Sequence, residues 1–297
     1  MLRLGLVDFD TSHVVEFTRR LHHQGVAPEQ WVEGARVVAG CPGTSQISPE
    51  RIPGYTEELR KLGVELVEKP ADLIGRIDAV MVESVDGSVH RERATPFLEA
   101  GLPCYVDKPF TCSAADARAL VELAAKKNVP IFSSSSLRYA PEVVRFTEDA
   151  KHGQVLGCLT YGPCSEHPRN PGLFHYGIHA VELLYTLMGP GCRRVTATHE
   201  KDADVVTGQW ADGRLATVRG IRSGKADYGC VAFTEKGVVT VPVGTQFIYR
   251  ELLKQIVTMF QTKKPPLEPA VTVEIVAFIE AAGRSAANHG AGETVKV

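Results

Sequence analysis

Two histidines four residues apart, His175 and His179, are the first candidates for chemistry. Residues at i and i+4 of a helix project from one face, and imidazole titrates near neutrality. Such a pair can orient a bound molecule and move a proton on it, or share a divalent ion with a carboxylate such as Glu182 or Glu166, or be a structural pair. A second set follows the first apolar run: Asp8-Phe9-Asp10-Thr11-Ser12 supplies two carboxylates and two hydroxyls, which either cap the next helix or meet a ligand. A third, Glu83-Ser84-Val85-Asp86-Gly87-Ser88-Val89-His90, adds two acids and a histidine, the acids being expected as solvated loop groups.

These residues need a scaffold, and the sequence supplies one. Short β-branched runs, Leu2 to Val7, Arg36 to Gly40, Ala79 to Glu83, Cys104 to Val106 and Ile131 to Ser133, alternate with helical patterns at Val14 to Gln24, Thr56 to Leu62, Val89 to Ala100 and Ala114 to Lys127. That rhythm predicts a doubly wound parallel sheet over residues 1–133. From Arg194 to Val243 strands follow one another through Ala211-Asp212-Gly213-Arg214 and Thr234-Glu235-Lys236-Gly237, hairpin signals that predict a mostly antiparallel open sheet in an α+β domain over 134–297. The chain closes with helices at Phe247 to Thr262 and Val271 to Asn288, the last expected to pack back on the first domain.

Parallel sheets of this kind bind ligands beyond the carboxyl ends of their strands. A dinucleotide there needs glycines after the first strand and an acid after the second. This chain has Asp8 to Ser12 at the first place and Ala39-Gly40-Cys41-Pro42-Gly43 at the second. Two carboxylates where a pyrophosphate sits oppose its charge, so any dinucleotide is expected to bind weakly.

With 33 basic and 35 acidic residues there is no excess positive charge for nucleic acid or anionic lipid. No apolar stretch approaches the ~20 residues of a membrane span. Seven cysteines without a CxxC pair fit a reducing cytoplasm.

The fourth strand leads into Tyr105-Val106-Asp107-Lys108-Pro109, preceded by the run from Ala100 and followed by Leu137-Arg138-Tyr139. With Phe174-His175-Tyr176-Gly177-Ile178-His179-Ala180-Val181-Glu182-Leu183-Leu184, this resembles the Gfo/Idh/MocA (glucose-fructose oxidoreductase / inositol dehydrogenase) family. The resemblance implies a Rossmann-like first domain and an NAD or NADP-dependent oxidoreductase acting on a sugar, polyol or related cyclic hydroxyl compound. It implies a homodimer or tetramer formed through the second-domain sheet.

By the same resemblance Lys108 reaches nicotinamide and the reacting hydroxyl, Pro109 follows a cis bond and His179 is the general base. Phe9, Asp10, Thr11, Ser12, Ser84, Asp107, Lys108 and Pro109 then line the cofactor. His90, Arg138, Tyr139 and His175 meet the substrate, with Arg138 in a salt bridge as the alternative. His175 departs from the family, which carries aspartate there. Because the glycine loop is missing, a redox-neutral or metal-assisted enzyme, or a ligand-binding protein on the same scaffold, stands as the other reading.

Overall fold

The apolar runs of the N-terminal half fold as parallel strands. In the computed structural model, which describes residues 1–297, these are β1 (Leu2–Val7), β2 (Ala35–Cys41), β3 (Glu65–Leu66), β4 (Ala79–Val82), β5 (Cys104–Val106) and β6 (Ile131–Phe132). They pair in the order β3-β2-β1-β4-β5-β6, every pair parallel. The connecting helices are α1 (His13–His22), α2 (Ile52–Lys61), α3 (His90–Glu99) and α4 (Ala114–Lys127). Every residue of β4 and β5 is buried, as strands covered on both faces must be, which is why they read as unbroken apolar runs. β3 is two residues long and begins with exposed Glu65, too short for a periodic signal. The order reverses between β1 and β4, so the crevice that binds ligands in such sheets opens at the ends of those two strands.

The first unit comprises Met1–Thr111, Ala115–Ser134 and Tyr249–Pro269. The returning segment therefore carries nearly all of α7 (Ile248–Thr262), whereas the last helix, α8 (Pro269–Ala287), lies almost wholly in the second unit. Both helices are apolar enough to serve either core, and the sequence carries no signal that sorts them.

The second unit holds α5 (Pro141–Glu148), β7 (Val155–Pro163), α6 (Ile178–Met188), β8 (Cys192–Glu200), β9 (Ala203–Trp210), β10 (Leu215–Ile221), β11 (Tyr228–Thr234), β12 (Gly237–Val243) and β13 (Glu293–Thr294). Its sheet runs β12-β11-β7-β10-β9-β8-β13 and is antiparallel except where β7 lies parallel to β10. Both expected hairpin turns join neighbouring antiparallel strands. Helix α6 packs on β7 and β10. Leu156, Leu215, Phe233 and Val238, by contrast, are exposed. No helix is long and apolar enough to cross a membrane.

Candidate functional site

In the first unit the loop after β1 keeps the turn of a dinucleotide fold without its glycines. Asp8 adopts φ +64°, the left-handed conformation for which glycine is the usual choice. Its carboxylate holds a non-glycine residue there through two contacts: Oδ2 accepts from Ser84 Oγ at 2.5 Å and from Arg93 Nε at 3.0 Å. Oδ1 lies so close to Gly43 (φ +65°) that a Cβ on that residue would sit 1.7 Å from it. Phe9 is fully buried, and its ring lies 2.6 Å from where a Cβ on Gly40 would be. Asp10 turns inward, its Oδ1 accepting from Val85 N–H at 3.0 Å, and burial raises its pKa.

These contacts correct two expectations. The aspartates do not present bare negative charge to the crevice, because Asp8 is neutralised by Arg93 and Asp10 is spent on backbone, so repulsion of a pyrophosphate is a weaker obstacle than the sequence suggests. Nor do Asp10 or Ser12 cap α1 with a side chain. The Ser12 carbonyl accepts from Val15 and Glu16, while Thr11 Oγ1 accepts a long 3.4 Å bond from His13 N–H. Thr11 is 7% exposed and Ser12 more so, which places a hydroxyl and the amino end of α1 at the crevice.

Replacing Asp8 tests this loop. Asp8→Gly removes the αL strain, worth about 1 kcal/mol, but also forfeits charge-assisted hydrogen bonds worth about 1.5–3 kcal/mol each. A net loss of about 2–5 kcal/mol is expected, read as a melting temperature lower by several degrees or more; a rise would show that the Asp8–Arg93 pair contributes nothing.

Glu83 and Asp107 directly follow β4 and β5, and with His13, the first residue of α1, they form a group of buried side chains. His13 Nδ1 lies 2.9 Å from Asp107 Oδ2 and 3.7 Å from Glu83 Oε2. Its ring stacks on Phe17 at 4.9 Å and meets the edge of Tyr249 at 4.9 Å. Burial pushes Glu83 up to about 7, and the neighbouring Asp107 charge adds to this. His13 and Lys108 hold Asp107 well below the usual carboxylate range against its desolvation, while its two acidic neighbours raise His13 despite burial. Glu83 and Asp86 are thus not solvated loop acids: Glu83 is 0% exposed, and Asp86 is buried, accepting from Ser88 N–H and Oγ–H. His13 was not singled out from sequence. Its signal is its place as the first residue of the helix after β1.

Lys108 follows Asp107, donates its backbone N–H to Asp107 Oδ1 at 2.8 Å and precedes Pro109 through a cis bond. Its side chain is partly exposed where Pro109 and Ser84 are buried. His90, expected to meet substrate, lies behind the loop it supports. It is 0% exposed, with Nδ1 at 2.9 Å from Pro109 O and Nε2 at 2.8 Å from Ser84 O, so it clamps the loop after β4 to the Lys108-Pro109 segment.

In the second unit His179 lies in the first turn of α6, which begins at Ile178. His175 precedes that helix, with φ −72° and ψ −72°, so the pair does not share a helical face as the spacing predicts. Tyr176 stands between them, its ring centroid 5.4 Å from His175 and 5.7 Å from His179. His175 instead packs 5.7 Å from His167, with Asn170 Nδ2 at 3.5 Å from its Nδ1.

His179 Nδ1 lies 2.7 Å from Ser135 Oγ. That oxygen already accepts from Leu137 N–H at 3.2 Å, and a second lone pair accepts from Nδ1–H in the tautomer that leaves Nε2 basic. Arg138 is committed to Glu182, with Nη2 at 2.7 Å from Oε2, on the structured turn Ser136–Tyr139 that also carries the partly exposed Tyr139. Glu182 is therefore no ligand for a metal shared by His175 and His179. Glu166 lies instead beside His199 and Asp204.

Comparison with known proteins agrees with this fold. The profile of an oxidoreductase family with an NAD-binding Rossmann fold matches residues 47–135. The chain is 25% identical to inositol 2-dehydrogenase 1 of Saccharopolyspora erythraea over 73% of its own length and 71% of that protein's. Among solved structures, myo-inositol dehydrogenase from Corynebacterium glutamicum superposes with a TM-score of 0.79 at 17% identity, covering 100% of this chain and 99% of that one. Scyllo-inositol dehydrogenase from Lactobacillus casei, with bound NAD(H) and scyllo-inositol, gives 0.80 at 13% identity over 99% of each chain. At such identities the likeness is one of fold.

Proposed function

Because the chain belongs to the Gfo/Idh/MocA oxidoreductase family, we propose that it is an NAD(P)-dependent oxidoreductase that transfers hydride between the cofactor and a sugar, polyol or related cyclic hydroxyl compound. The observation that carries this reading is Asp107-Lys108-cis-Pro109 at the carboxyl end of β5, in a doubly wound sheet whose first turn keeps a left-handed residue at Asp8. When bound, the nicotinamide supplies the hydride acceptor. The Thr11 and Ser12 segment and the amino end of α1 are the groups that hold its phosphates. Lys108 provides the positive charge that favours alkoxide over alcohol, and His179 the imidazole that takes the hydroxyl proton. Ser135 holds the His179 ring through its Nδ1. Three inositol dehydrogenases among the similar proteins support a cyclic polyol as the substrate class. The exposed apolar side chains Leu156, Leu215, Phe233 and Val238 support a homo-oligomer built on the second-unit sheet.

Titration of the purified protein with NADH and NADPH, followed by nicotinamide fluorescence, tests the cofactor. Saturable binding with Kd inside the ~1 μM to 1 mM span usual for KM is expected for one of the two. A protein that binds neither would remove hydride transfer from consideration.

A further inference from the structure

His13, Glu83 and Asp107 are all buried beside the crevice, the two acids at 0% exposure, and their arrangement is unbalanced. Two carboxylates share one imidazole. Asp107 is half provided for: Oδ1 accepts from Lys108 N–H at 2.8 Å and Tyr105 O–H at 3.3 Å, while Oδ2, 2.9 Å from His13 Nδ1, makes no hydrogen bond. Glu83 is not. It is 0% exposed, and neither of its oxygens has a hydrogen-bond partner. An isolated buried carboxylate is among the costliest groups a fold can carry, and it is retained where a proton or a cation completes it.

We propose that His13 Nδ1, Glu83 Oε2 and Asp107 Oδ2 form a site for one divalent first-row metal ion of the Zn²⁺ or Mn²⁺ class. The three atoms lie within 4.8 Å of one another, so one ion at ordinary bond lengths of about 2.0–2.2 Å reaches all three after small adjustments. Two carboxylates and a neutral imidazole carry two negative charges, which a divalent cation cancels. One nitrogen and two oxygens suit Zn²⁺, Mn²⁺ or Co²⁺ rather than a soft ion that wants sulfur. Phe17 and Tyr249 hold the imidazole from two sides, and the carboxylates come from residues directly after β4 and β5, so the donors are preset by the sheet. The other positive charge acting on both carboxylates is that of Lys108, the residue next to Asp107.

The second grouping of this kind, Glu166, His199 and Asp204, lacks that deficit of positive charge. Arg222 enters it, with Nη1 at 2.5 Å from Asp204 Oδ2 and 3.5 Å from Glu166 Oε1, and stands where an ion would. It serves as the internal control.

The protein, stripped with a chelator and dialysed, is titrated with Zn²⁺ by calorimetry and with Co²⁺ by visible absorption, with no nicotinamide cofactor present. The outcome is thereby separate from the fate of the hydride-transfer reading. One equivalent per chain is expected, weakened in Glu83→Gln and Asp107→Asn by at least ~100-fold, the upper end of what losing even an outer partner of a metal ligand costs. His199→Asn should leave the binding unchanged. A protein that takes up no stoichiometric ion overturns the proposal, as does one whose affinity survives Glu83→Gln or falls with His199→Asn. If neither acidic variant folds, X-ray absorption of the Co²⁺-loaded wild type decides: one imidazole with oxygen neighbours upholds the site, and sulfur or two imidazoles refute it.

Discussion

Lys108→Ala should lower kcat by about a hundredfold to a thousandfold, the cost of removing one donor that stabilises developing oxyanion charge. The fold should survive. The Lys108 side chain is partly exposed, and the contact that fixes its backbone, N–H to Asp107 Oδ1, does not depend on the ammonium. Because that charge matters most as alkoxide develops, kcat and kcat/KM should fall together, with KM changing little. Steady-state kinetics on a polyol oxidised by the wild type, together with a melting curve, check both halves. A variant with near wild-type kcat would mean that the segment after β5 does not meet the reacting hydroxyl.

The second large effect is expected at His179. Its replacement by alanine removes a general base, which contributes about 10²–10⁴ in rate, and should abolish the limb of the pH profile that a histidine near neutrality produces. Activity in the wild type rises as pH rises through that limb, since the base works unprotonated. In His179→Ala the rate should be low and flat there. His175→Asp, which restores the residue usual in the family, should stay active, because His175 lies outside α6 and packs with His167, Asn170 and Tyr176 rather than with His179. A His179→Ala enzyme that keeps the wild-type pH profile would transfer the base role elsewhere.

Much of this architecture was legible because period and punctuation report local structure. The central parallel strands β4 and β5 are unbroken apolar runs and the hairpins carry Asp-Gly or Lys-Gly turns. What the sequence did not report was long-range. β7, in the middle of the second sheet, pairs with β11 and lies parallel to β10, partners that only the completed topology identifies. The fate of charged groups was equally hidden. Asp8, Asp10, Glu83 and Asp86 look like solvated acids by type, yet each is buried, through contacts with Arg93, Ser84, Val85, His13 and Ser88 that lie up to 85 residues away. His175 shows the converse error: the four-residue spacing predicts a shared helical face, but Gly177 and the turn before Ile178 start the helix too late to include it.

The lock between the first two strand ends also bears on how this sequence can change. With Asp8 present, Gly43 admits no side chain, since a Cβ there would meet the carboxylate at 1.7 Å. With Asp8 replaced by glycine, Arg93 and Ser84 lose their acceptor while Phe9 still fills the space over Gly40. Changing Asp8 alone therefore removes an acceptor that Ser84 and Arg93 use, while changing Gly43 alone runs into the carboxylate. The four positions are energetically coupled, so the effect of a substitution at one depends on the residues at the other three.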